Sequence, residues 1–346
     1  MIKASDADTW VICPLSVTLQ AQYPAETTPA KNEGIQAHAV LSGTTLDGTP
    51  DMFDGAVMWR DHIAGIRSAG AITGEHGEYQ LTVPRIHQQA IARPDYVMYG
   101  PGVLHVLDYK YGHREVPADS WQNKMAVAGL LGDADDREIT VHMHVVQPRN
   151  FHGSGRVRTV TVNASDLRAD INLLATQATR ATQPNPPGQT GPQCLGCSAR
   201  HACPLAQQAG YAAIEYAGSA VPLDLDPVSL GHELTALDRA EQQIRARRSG
   251  LAAAAESMLA AGQTVSGWAL EQSTGRLTWS RPIADVLAIG DAMGVDLRKL
   301  DTVTPTQAKK LLPPELIDLY ATRTAGAVKL VPSLTTAATA AFKRGK

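Results

Sequence analysis

The chain has 346 residues, 44% hydrophobic and 19% charged, with a formal net charge of −3. That length suits about two domains with buried cores; no apolar run approaches the roughly 20 residues of a membrane span, and MIKASDADTW lacks the basic-then-apolar order of a secretory signal. Up to residue 203 there are 16 Lys/Arg against 20 Asp/Glu, and 15 against 14 beyond it, which excludes nucleic-acid binding by bulk charge; the expectation is a globular cytoplasmic protein working through a specific site.

In chain order, Ser5 to Gln20 reads as one helix with Ser5 as N-cap and Trp10 on its apolar side. Asn32 to Ser42 is a second helix, with Gly34 and His38 on one face. The polar stretch GTTLDGTPD marks a loop, and a helix is expected from Met52 to Ser68. Glu78 to Val83 alternates enough for a strand. Asp95–Tyr99 and Val103–Lys110 are β-prone runs about a Gly-Pro-Gly turn, a hairpin signal. Ser120 caps a helix through Leu131, Glu138 to Gln147 is a strand, and Asn163 to Ala181 is helical. TQPNPPGQTGPQ, from Thr182, is a linker or wrapping loop. Further on come a long Ala-rich helix (Val228 to Ala261), a short strand pair around Trp268 and Trp279, and two more helices.

Four cysteines are present: Cys194, Cys197 and Cys203 in a C-x2-C-x5-C spacing, and Cys13 far upstream. Clustered cysteines without a secretion signal read as metal ligands rather than disulfides. Four thiolates suit zinc or an iron–sulfur cluster. Either would tie the N-terminal segment to the stretch after residue 190.

Within that span lies Asp108-Tyr109-Lys110, at the end of the second hairpin strand. Alternation places Asp108 and Lys110 on one side and Tyr109 on the other. A turn centred near Pro101 puts Asp95 opposite residue 107 or 108. Two carboxylates and an ammonium gathered this way suit phosphodiester hydrolysis with Mg2+ or Mn2+. Carboxylate oxygens and a backbone carbonyl hold the ion, His38 adds an imidazole, and the lysine positions water or stabilises developing charge.

Trp10-Val-Ile-Cys13-Pro14-Leu-Ser16, Glu33-Gly34 with His38, Arg93-Pro94-Asp95, Asp108-Tyr109-Lys110-Tyr111-Gly112 and the cysteine triplet together resemble the iron–sulfur branch of the PD-(D/E)XK nucleases. That branch includes RecB/AddB-like nuclease domains and CRISPR adaptation nucleases. Through Gly267-Trp268, Arg276 with Trp279, Thr304-Pro305, Lys309-Lys310-Leu311 and Lys329-Leu330-Val331-Pro332, the chain is most similar to an uncharacterised phage and prophage family of that superfamily. The resemblance implies an α/β fold, with a restriction-endonuclease-like core of mixed sheet flanked by helices over 1–210. It also implies a [4Fe–4S] cluster on Cys13, Cys194, Cys197 and Cys203, and a mainly helical region over 211–346. His38, Asp95, Asp108 and the Tyr109 carbonyl become ligands of Mg2+ or Mn2+. Lys110 becomes the catalytic lysine, and Gln122 the glutamine of a Q-x-x-x-Y motif whose tyrosine position here holds Ala126. Pro94 stands where the family often has a small residue.

The implied activity is exonucleolytic cleavage of DNA, single-stranded or end-bearing duplex, alongside phage replication or recombination proteins. The alternative is a DNA-binding or scaffold protein that keeps fold and cluster without catalysis. No G-x4-G-K-[ST] loop occurs, so no P-loop ATPase is expected. Arg245, Arg247 and Arg248 read as a solvated helix face. His142 and His144 read as ordinary strand residues, because no third ligand is in register with them.

Overall fold

The computed structural model describes residues 1–25, 28–132, 138–150, 153–217, 225–298, 304–308 and 312–332. It divides into two compact units, Met1–Gly250 and Leu251–Lys346. In chain order the first holds β1 (Ile2–Lys3), α1 (Ala7–Trp10), α2 (Leu15–Gln22), α3 (Pro29–Leu41), α4 (Pro50–Ala69), β2 (Gly74–His76), β3 (Leu81–Thr82), β4 (Ala90–Ala92), β5 (Tyr96–Gly100), β6 (Val103–Tyr109), α5 (Trp121–Leu131), β7 (Thr140–Val146), β8 (Val157–Asn163), α6 (Arg168–Ala181) and α7 (Pro204–Ala217). Helix α8 (Pro227–Ala260) belongs to the first unit through Gly250. Packing thus carries that unit past residue 210.

The central sheet has order β2-β5-β6-β7-β8. It is antiparallel except for the β6–β7 pair, so it is mixed. A small sheet, β1-β4-β3, lies beside it. Strand alternation sends Met98, Leu107, Tyr109 and Val146 to one face, where they pack with Ala37 and Val40 of α3 and Met52, Ala56, Trp59 and Ile63 of α4. Val97, Leu104, Val106, Val141 and Met143 face the other way, onto Trp10, the apolar side of α5, and Ile171 and Leu174 of α6. Burial on both faces explains the near-continuous apolar runs in β6 and β7. The fold is therefore a mixed α/β core with helices on both sides of the sheet.

Several local expectations change. The helix expected over Ser5–Gln20 is broken into a 3-10 turn at Ala4–Asp6, α1 and α2, with Pro14 at the break. Proline cannot donate the helical hydrogen bond there. Ser5 bonds Asp6 and is not a cap. Over Asn163–Ala181 a 3-10 turn (Ala164–Leu167) precedes the α-helix. Of Glu78–Val83 only Leu81–Thr82 is strand, and β2, β4 and β8 were not anticipated.

The second unit contains β9 (Trp268–Trp279), α9 (Ile283–Ala292), α10 (Pro305–Ala308), α11 (Pro314–Tyr320) and β10 (Ala321–Pro332). Trp268 and Trp279 are the two ends of one strand rather than a pair of strands, and β9 pairs antiparallel with β10. Half of this ladder lies some 50 residues downstream, and together with α9, α10 and α11 it makes this unit a helix–sheet unit. Val286, Leu297, Ala308, Leu312, Ile317 and Ala321 form its core. Lys309, Lys310 and Leu311 lie outside the described residues. Among the described residues no helix is long and apolar enough to cross a membrane.

Candidate functional site

The β5–β6 hairpin sets the site. Gly102 takes a φ of 69° at the turn, a left-handed conformation that suits glycine. The register pairs Tyr96 with Leu107, which brings Asp95, one residue earlier, opposite Asp108. Asp95 Oδ2 accepts from the Tyr109 backbone N–H at 2.6 Å. Tyr109 turns its ring to the other face, among Trp59, Tyr111 and His38. Gly55 of α4 admits that ring, since a Cβ there would strike the Tyr109 hydroxyl and lie 2.9 Å from Pro148.

Helix α5 completes the site. Ser120 caps it, accepting from Asn123 N–H. Asp8 of α1 accepts from the Trp121 N–H at 3.2 Å, which fixes the first turn. Gln122 in that turn accepts from Lys110 Nζ at 3.1 Å through Oε1 and donates through Nε2 to Asp108 Oδ1 at 2.9 Å. Lys110 Nζ also lies 3.1 Å from Asp108 Oδ1. The glutamine thus clamps ammonium and carboxylate in one orientation. His38 of α3 enters from the other side, its Nδ1 3.9 Å from Asp95 Oδ1.

The electrostatics follow from burial. Asp108 is 2% exposed, and its Oδ2 has no hydrogen-bond partner among the described residues. Burial, then the facing Asp108 charge, pushes Asp95 up to about 8. Burial pulls the Lys110 ammonium down, but Asp108 and Asp95 outweigh it, and its net shift is upward, so it stays charged. Burial, then Lys110, lowers His38, which leaves a neutral imidazole able to donate a lone pair. A buried unpartnered carboxylate oxygen, a second carboxylate that resists ionising and a neutral imidazole form a donor set of two carboxylates and a nitrogen. That chemistry fits a divalent cation.

All four cysteines, Cys13, Cys194, Cys197 and Cys203, line one cavity. The segment around 187–198 wraps the N-terminal helices: Leu15 N–H bonds Pro187 O at 2.9 Å, and Ser198 Oγ bonds Tyr23 O at 2.6 Å. Gly188 sits where a Cβ would meet Leu205 and Leu15. Backbone N–H groups of Gln189 and Gly191 point at Cys13 Sγ and Cys194 Sγ, both at 3.4 Å. Burial raises the Cys194 thiol and pushes Cys197 up to about 11. Among the described residues no group of three or more His, Cys, Asp or Glu is spaced to hold a metal ion as it stands.

The candidate residues therefore fall into two groups, each brought together: His38, Asp95, Asp108, Tyr109, Lys110 and Gln122 around the hairpin end, and the four cysteines around the cavity. Ala126, one turn after Gln122, is buried in the core. Sequence reading missed Asp8 and Glu78, whose charges act on Lys110 and on His38 and Asp95 respectively. It also missed that His62 and His105 join His144 in a hydrogen-bonded row, at 3.1 Å each, with His142 stacked on His105. The alternation of His105, His142 and His144 on neighbouring strands was the available signal; the β6–β7 pairing needed to read it was not.

A family model described as protein of unknown function (DUF2800) matches residues 76–336. No curated protein matches the chain. Among solved structures, one described as "Crystal structure of SSO0001" is 13% identical, covers 59% of this chain and 85% of that one, and has a TM-score of 0.30.

Proposed function

We propose that this chain, which belongs to the family described as protein of unknown function DUF2800, is a divalent-metal-dependent DNA nuclease of the PD-(D/E)XK type. The reading rests above all on Asp95 and Asp108 facing each other beside a Lys110 that Gln122 and Asp108 hold in place. Asp108, Asp95, His38 and the Tyr109 carbonyl would hold Mg2+ or Mn2+. Such an ion, when bound, supplies Lewis-acid polarisation of the phosphodiester and acidifies water. Lys110 remains an ammonium and sets a positive charge where the phosphoryl oxygens gain negative charge. Gln122 prevents that ammonium from collapsing onto Asp108 alone, so a donor stays directed at the reacting phosphate.

The four cysteines would hold a [4Fe–4S] cluster. Their shared cavity, the two N–H groups aimed at sulfur and the burial that raises the Cys194 and Cys197 thiols fit a metal centre that would hold these groups as thiolates. Its role on this reading is structural, joining the N-terminal helices to the 187–203 segment. Cleavage from a DNA end, in a phage replication or recombination setting, is the finer part of the proposal.

The test is anaerobic purification, a visible spectrum, and Mn2+-dependent digestion of end-labelled linear and closed circular DNA. Brown protein that shortens linear DNA, with activity lost at least about 1,000-fold in Lys110→Ala, is the expected result. Unchanged cleavage in Lys110→Ala defeats the catalytic assignment. Brown protein inert on every DNA and RNA substrate would point instead to a DNA-binding protein without catalysis.

A further inference from the structure

Helix α8 is held to the first unit near its Gly250 end. Ala246 and Gly250 are buried, Arg247 Nη1 donates to the His201 carbonyl, and Arg200 Nε donates to Ser249 Oγ at 3.0 Å. A Cβ on Gly250 would lie 2.8 Å from His201 N, so the contact is close. Asp226 caps the other end through the Val228 and Ser229 N–H groups. Between these points, from Pro227 to Arg245, no residue is buried. An isolated helical stretch of that length is marginal in water, because helices in proteins draw their stability from packing an apolar face.

Such a face is present. Leu230, Leu234, Leu237 and Ile244 are 48%, 57%, 42% and 37% exposed. With Glu241 and Arg248 they follow alternating steps of four and three residues, the seam of a two-stranded coiled coil with leucine or isoleucine at every d position. The charges say what covers it. In a parallel pair Glu241 would meet its own copy at an a position, and so would Arg248. In an antiparallel pair whose two-fold passes near Gln242 and Gln243, Glu241 falls one layer from the other copy's Arg248, and Asp238 lies beside the other copy's Arg245. Both contacts then join opposite charges, and each occurs twice by symmetry.

We infer that the Leu230–Arg248 face of α8 is a dimer interface in which a second copy of this chain packs antiparallel. The interface shares no residue with the carboxylate–lysine site and does not depend on what that site does.

Sedimentation equilibrium of the full-length protein at micromolar concentrations tests it. The expected result is a dimer whose dissociation constant rises at least about 100-fold in Leu237→Glu with Ile244→Glu, each burying a charge in place of an apolar side chain. Both positions are exposed in the single chain, so the thermal transition of the variant should otherwise match the parent. Asp238→Arg or Arg245→Asp alone should weaken the dimer about 10-fold, and the two together should restore it. A parent protein that stays monomeric, or a dimer indifferent to the Leu237 and Ile244 changes, overturns the interface. Failure of the double charge exchange to restore association overturns the antiparallel orientation.

Discussion

Asp95 carries the tension of the site in one side chain. It is pushed up because burial and Asp108 both oppose its charge, while the bond from Tyr109 N–H favours it. An acid raised in the folded state binds more protons there than in the unfolded chain, so its contribution to stability falls as pH rises from its ordinary value towards about 8. Asp95→Asn keeps an oxygen for the Tyr109 N–H and removes that opposition. In chelator at pH 8 the variant should be more stable than the parent by about 1–3 kcal/mol, measured by urea denaturation. The rise in melting temperature on adding Mn2+, expected for the parent, should vanish in the same variant. Gln122→Ala tests the clamp separately: Lys110 and Asp108 keep each other, so folding should hold, while cleavage should fall about 10–100-fold at saturating DNA.

Two elements explain why a helix and a sheet meet where they do. Helix α4 packs on the sheet face that holds Tyr109, and Gly55 leaves room there for the tyrosine hydroxyl. Gly55→Ala should cost about 1–3 kcal/mol from overpacking, read as a lower urea midpoint at unchanged slope. Further along α4, His62 meets His144 of β7, which meets His105 of β6; Thr159 of β8 also bonds His144 at 2.8 Å. Burial, with the neighbouring imidazoles, lowers His105 to about 4 and His144 to about 3. Histidines depressed in the fold are protonated more readily when unfolded, so stability is level above about pH 6.5 and falls as pH drops below it. Each fully neutral buried histidine adds a slope of about 1.4 kcal/mol per pH unit there. Urea midpoints at pH 7, 6 and 5 should show the decline, and His144→Gln should flatten it.

At the scale of the whole molecule, the two compact units have separate cores, so they need not melt together. Cys13 and Cys194 stand 181 positions apart yet line one cavity, and a metal centre there would restrain the loop between them. Cys197→Ser should therefore abolish visible absorbance and lower the thermal transition of residues 1–250, leaving that of 251–346 in place. Calorimetry with mass-spectrometric proteolysis assigns each transition.

Much of the first unit was legible as sequence because its signals are local. The Gly-Pro-Gly turn defines the β5–β6 hairpin within two residues, and that register alone delivers Asp95 to Asp108. Ser120 announces α5, and hence the place of Gln122. The helices expected from Asn32 and Met52 appear as α3 and α4, each entered two or three residues earlier at a proline. The spacing of the cysteine triplet marks its members as candidate metal ligands. What stayed hidden depends on pairing across long separations, which no local propensity encodes. β9 and β10 find each other across α9, α10 and α11; β1 pairs with β4 across some 90 residues. α1 stops at Trp10 and α2 starts after Pro14, although the apolar spacing runs through both. Asp8 reaches the Trp121 N–H across 113 positions, and the histidine row exists only because β6 lies parallel to β7 beneath α4. Local signals in the chain single out the candidate residues and the hairpin and helix that carry them. Tertiary packing sets which of them share a buried space, and burial is what shifts their protons and leaves Asp108 Oδ2 without a hydrogen-bond partner among the described residues.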